Sequence, residues 1–203
     1  STEDDKLLED LYESFKANGA TLNKDDKEKY RKLSMDLSML TLQFDQNALK
    51  DKNRFELLIT DENELSGLPE SARDAAAMLA KSKDKDGWLF NLSAPSYIPF
   101  MRYSDKRDLR EKMYREYMSV GNKGDEFDNK DIIKKIVNIR LEIAQLMGFK
   151  NYAEYALEHT MAKNSANVYK LLNQLLEAYK PIAINEYNAV EGFALGTEKE
   201  NIT

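Results

Sequence analysis

The stretch YRKLSMDLSMLTLQF, residues 30–44, decides the fold class. Its apolar residues Tyr30, Leu33, Leu37, Leu40 and Phe44 recur at steps of 3, 4, 3 and 4, which is one face of an α-helix. Asn23 is placed to cap this helix, and the pattern carries it to about Leu49. The stripe is about two heptads long, and a sustained coiled coil needs three or four. The reading is therefore a helix buried against the rest of its own domain. A preceding helix, Glu3 to Asn18, shows Leu7, Leu8, Leu11 and Phe15 on one face and stops at Gly19. The two make a helical hairpin.

Working outward, the chain stays helical with short interruptions. Arg54–Thr60 (RFELLIT) is apolar and β-rich and reads as a short strand. A turn at Asp61–Leu65 is closed by Gly67, and Pro69 fits the first position of a helix whose small face is Ala72, Ala75, Ala76, Ala77 and Ala80. Trp88–Leu92 is the clearer strand, with Trp88, Phe90 and Leu92 alternating to one side. Pro95 and Pro99 bracket Ser96-Tyr97-Ile98 and predict a loop or a Pro-started helical turn. Further helices are expected at about Asp105–Ser119, Asp128–Met147, Asn151–Met161 and Ser165–Gly192, capped by Ser104 or Asp105, Asp128, Asn151 and Ser165. Pro181 is expected to kink the last one near Ala178–Lys180. The fold class is thus all-α, with one or two short strands near 54–60 and 88–92. Residues 1–203 read as a single helical piece, and the polar, Gly-rich segment 121–129 (GNKGDEFDN) is its one candidate internal boundary.

Composition removes whole classes of chemistry. The 203 residues include no Cys and one His, His159. Disulfides, thiolate metal sites and cysteine nucleophiles are excluded, and so is any HExxH zinc centre within this chain. The formal charge of −6 argues against nucleic acid as a partner. Apolar runs are broken by charge every few residues, so no membrane span or signal segment is read. A Cys-free chain with 33% charged residues suits the cytoplasm, with the periplasm as the alternative.

Three groups of residues were weighed for chemistry. His159 as a metal ligand would need carboxylates such as Glu154 and Glu158, but no known ligand spacing is present; a solvated side chain near a helix end is the stronger reading. Arg102, Lys106, Arg107, Arg110, Lys112 and Arg115 are able to hold a carboxylate, yet Asp108–Lys112 and Glu111–Arg115 are i,i+4 pairs and point to a salt-bridged surface. The pairs Tyr114/Tyr117 and Tyr152/Tyr155 read as core-edge packing rather than stacking platforms. No phosphate loop or nucleophile elbow occurs. These residues by themselves specify a soluble helical domain, and no catalytic, cofactor-binding or metal-binding residue is assigned.

A resemblance adds to this. Leu65–Ala72 (LSGLPESA), Gly87–Leu92 (GWLFNL), Pro95–Met101 (PSYIPFM) and Arg107–Tyr114 (RDLREKMY) together resemble the thimet oligopeptidase family of zinc metallopeptidases, nearest its bacterial peptidyl-dipeptidase and oligopeptidase A members. Asn18–Leu22, Leu37–Asn47 and Asp128–Ala162 extend the likeness in the same order along nearly the whole chain. The resemblance implies the helical part of a channel-type enzyme in which a zinc-activated water cuts short peptides, the expected activity of the parent being that of a peptidyl-dipeptidase releasing C-terminal dipeptides. The family's HExxH and its other ligand and substrate residues match nothing here. The expectation is an internal fragment upstream of the zinc site, inactive by itself, with zinc bound outside it, short peptides as the parent's partners, and self-association through surface exposed by truncation. The alternative is a stand-alone, non-enzymatic interaction module.

Overall fold

The computed structural model describes residues 2–197. Eight α-helices and one two-stranded sheet are found among them. In order these are α1 (Thr2–Ala17), α2 (Lys24–Arg54), β1 (Leu57–Ile59), α3 (Glu70–Ser82), β2 (Trp88–Phe90), α4 (Ala94–Tyr103), α5 (Arg107–Met118), α6 (Lys130–Leu146), α7 (Tyr152–Leu157) and α8 (Ser165–Thr197). The mainly helical fold with short strands is as expected. The chain divides into two compact units. One holds the chain up to Tyr30 and the part from Leu141 onward, and the other holds Arg31–Arg140.

The 31–140 unit has the core. β1 and β2 pair antiparallel, with Leu57 opposite Phe90, Leu58 opposite Leu89 and Ile59 opposite Trp88. Phe55, Leu57, Ile59, Leu65, Leu68, Phe90, Leu92, Phe100 and Met113 pack into one buried cluster. Phe90 and Phe100 meet edge to face at 4.8 Å between ring centroids. Alternation along β2 is incomplete: Leu89, on the face opposite Phe90, is buried as well, because the alanine face of α3 covers it. The stripe on α2 is realised as expected, with Leu33 buried and Leu37, Leu40 and Phe44 half-buried.

Several local expectations shift. The Pro95–Pro99 segment is a ten-residue helix, α4, with Pro95 in its first turn and Pro99 inside it. Pro99 forfeits one intrahelical bond, and the burial of its neighbour Phe100 against Phe90 offsets the loss. Asp105 does not cap α5. Its carboxylate accepts from the Ser66 hydroxyl at 2.6 Å and its N–H donates to the Ser66 carbonyl at 2.9 Å, fixing the turn before α3. Gly67 sits in that turn at φ +83°, where a Cβ would lie 2.1 Å from the Tyr103 carbonyl oxygen.

In the other unit, Asn151 caps α7, accepting from the Glu154 N–H at 2.9 Å. Asn164, one residue before the expected Ser165, caps α8 by accepting from Asn167 N–H at 2.9 Å. α8 runs on past Pro181 to Thr197. Asn23 accepts from the Asp26 N–H at 2.9 Å, as its predicted capping role requires.

Candidate functional site

His159 stands in a cavity of about 220 Å³ with Glu13, Lys16, Thr21, Leu22, Met147, Phe149 and Glu158. Its Nε2 lies 3.4 Å from a Glu158 carboxylate oxygen, and both side chains are nearly half exposed. Glu154, the other carboxylate weighed as its partner, is held away: its Oε1 accepts from Asn151 Nδ2 at 3.2 Å in the α7 cap. Glu13 pairs with Lys16 at 3.4 Å. One imidazole and one adjacent carboxylate in water make a weak ion pair. Among the described residues, no three His, Cys, Asp or Glu side chains form a group that could hold a metal ion. The described residues therefore do not fit the zinc that the resemblance implies.

The cationic segment is likewise occupied with its own neighbours. Arg115 meets Glu111 at 2.7 Å in the expected i,i+4 geometry. Arg110 donates to the Ser104 carbonyl. Arg102 lies 5.4 Å from the Tyr103 ring centroid. Of the paired tyrosines, Tyr117, Tyr152 and Tyr155 pack against other rings, whereas Tyr114 is exposed. Tyr117 stacks on Tyr97 at 4.3 Å and 17°, with the Lys52 ammonium 5.6 Å from its centroid. Tyr152 and Tyr155 are 5.9 Å apart, and Tyr155 donates its hydroxyl to the Ala17 carbonyl at 2.8 Å. Burial, then hydrogen bonding with Tyr30, pushes the Tyr155 hydroxyl up to about 12.

The strongest electrostatic feature lies elsewhere. Asp51 on α2 is fully buried. Its carboxylate accepts from Gly121 N–H at 2.7 Å, Lys123 Nζ at 3.1 Å and Arg54 Nε at 2.7 Å. Lys123 reaches on to Glu116 at 2.7 Å, and Arg54 to Asp125, whose carboxyl is held below its usual range chiefly by that contact. One turn earlier, buried Asn47 donates to Asn129 Oδ1 at 3.1 Å, and Asn129 donates to the Phe44 carbonyl at 3.0 Å. The polar segment 121–129 is thus tied to α2 inside the 31–140 unit. Every oxygen of Asp51 is engaged within the protein, so the arrangement positions a loop and offers no group to a substrate. The pattern that reveals it is the α2 stripe itself: the steps 33, 37, 40, 44 continue to 47 and 51, where Asn and Asp stand in the buried phase.

No described helix is long and apolar enough to cross a membrane. Comparison with known proteins adds the remaining observation. The model of peptidase family M3 matches residues 100–201. Oligopeptidase A of Haemophilus influenzae is 37% identical over 199 residues, covering 96% of this chain and 29% of that protein. Dipeptidyl carboxypeptidase of Escherichia coli is 29% identical over 187 residues, covering 92% of this chain and 28% of that protein. Thimet-like oligopeptidase of Dictyostelium discoideum is 26% identical over 192 residues, covering 94% of this chain and 27% of that protein. The chain spans under a third of the length of these relatives.

Proposed function

This chain belongs to peptidase family M3, and we propose that it is the helical, non-catalytic part of a longer zinc-dependent peptidase that cuts short peptides. The observation that carries the reading is a likeness to named peptidases along 92–96% of the chain, joined to a sequence with a single His. The family implies zinc, which when bound activates the hydrolytic water. Among the described residues no group of His, Asp and Glu side chains could hold the ion, which supports a site outside these 203 residues.

Two cleavage modes are open to the longer protein: internal cuts in oligopeptides, or release of C-terminal dipeptides. The relative named oligopeptidase A is 37% identical and the one named dipeptidyl carboxypeptidase 29%, which favours the first. Short peptides are the proposed partners and the cytoplasm the proposed compartment, in keeping with a Cys-free chain of net charge −6.

The test is a cleavage assay on both forms. The 203-residue chain should give no turnover with added zinc, and turnover that a chelator abolishes would overturn its non-catalytic role. The longer protein should cleave a short peptide, lose activity to the chelator and regain it with zinc. Cutting that persists when the peptide's C-terminus is amidated supports internal cleavage. Dependence on a free terminal carboxylate supports dipeptide release.

A further inference from the structure

The unit that holds α1 and α8 has almost no core of its own. Among the described residues, only Ile143 and Ala144 of the buried apolar side chains belong to it, whereas the 31–140 unit has the rest. Meanwhile α8 leaves twelve large apolar side chains in water, Tyr179 at 62% and Phe193 at 72% exposure among them. Their arrangement has direction. Leu171, Leu172, Leu175, Leu176, Tyr179 and Ile182 cover one broad arc at helical spacing. Lys170, Glu177 and Lys180, joined further on by Glu191, form a narrow stripe on the opposite side. Glu186 interrupts the arc beyond Ile182, so the continuous apolar face is the Leu171–Ile182 segment.

An arc this wide is a face built for burial, and a charged stripe this narrow is the part meant for water. We propose that the Leu171–Ile182 arc is an interior face of the longer protein, covered by apolar side chains from its own polypeptide outside these 203 residues. Two facts select that occupant over a second copy. The relatives carry the matched region within chains more than three times as long, since it makes up 28–29% of each. The family match also runs through all of α8 that is described. No described helix is long and apolar enough to cross a membrane.

The proposal rests on membership of the longer peptidase, and its test reads topology rather than turnover, so the two can fail separately. In the longer protein, Leu175→Cys and Glu177→Cys are labelled with a thiol reagent and read by mass spectrometry on the α8 peptide. Leu175→Cys should react about tenfold or more slower than Glu177→Cys until denaturant is added, as expected for a site opened only by local unfolding. Equal rates would overturn the proposal. A photoreactive benzophenone amino acid at position 179, in a variant checked for its native circular dichroism, gives the second readout. Crosslinks within one chain to residues outside the 203 support the proposal. Crosslinks to a second copy, or back to residues 2–197, overturn it.

Discussion

A carboxylate with no solvent around it survives only if its partners replace the water. Asp51 has three such partners, a lysine, an arginine and a backbone N–H. Asp51→Ala leaves the Gly121 N–H and part of the charge on Lys123 uncompensated. It should destabilise the protein by about 3 kcal/mol in urea unfolding. Asp131→Ala removes an exposed pair with Lys134, whose side chains are 84% and 75% exposed, and should leave the midpoint unchanged. Tyr155 offers a pH test with a defined sign. The fold holds its neutral hydroxyl as a donor, and its pKa is raised from 10.0 to about 12. Its contribution is complete below pH 10, declines between 10 and 12, and is gone above 12. Stability followed across that window should fall more steeply for the native chain than for Tyr155→Phe; equal slopes would contradict the buried donor. Sequence reading reached Tyr155 only as a packing residue, because its acceptor, the Ala17 carbonyl, is 138 residues away.

At the scale of elements, the long helices were legible because their apolar period is intrinsic to the segment. α2, α5 and α6 lie within a few residues of the expected spans Asn23–Leu49, Asp105–Ser119 and Asp128–Met147. What misled were positions settled by distant partners. Asp105 looked like a cap for α5 and instead serves the turn before α3, 39 residues away from its Ser66 partner. The Pro95–Pro99 segment, open between a loop and a Pro-started helical turn, is a ten-residue helix with Phe100 buried. The turn before α3 also gives a contrast between two glycines. Gly67 and Gly124 both have positive φ, +83° and +73°. A Cβ on Gly124 meets nothing within 4 Å, so Gly124→Ala should cost about 1 kcal/mol, the backbone term alone. A Cβ on Gly67 strikes the Tyr103 carbonyl oxygen, so Gly67→Ala should cost clearly more. Thermal melts showing equal losses would mean the turn adapts and the close approach is dispensable.

For the molecule as a whole, the sequence spoke through order rather than through any one residue. No catalytic role is proposed for any side chain here, and His159 lies beside Glu158 with both open to water. The family was legible only because short segments from Asn18 to Ala162 fall in the same succession as in the relatives. The buried polar tie was not read beforehand, since a Gly-rich acidic segment has the composition of a loose connection. That tie bears on how fast the 31–140 unit opens. The cluster from Phe55 to Met113 buries ten side chains, and each contact in it helps to hold the next in place. The Asp51–Gly121 bond closes a separation of 70 residues, which costs about 4 kcal/mol of chain entropy if made before the cluster exists. It is therefore made last and lost first. In stopped-flow measurements Asp51→Ala should leave the refolding rate near that of the native chain and raise the unfolding rate by nearly the whole of its stability loss. A slowed refolding arm would place the charge pair in the nucleus. The buried aspartate thus acts as a brake on unfolding, setting the lifetime of a fold whose shape the apolar residues have already decided.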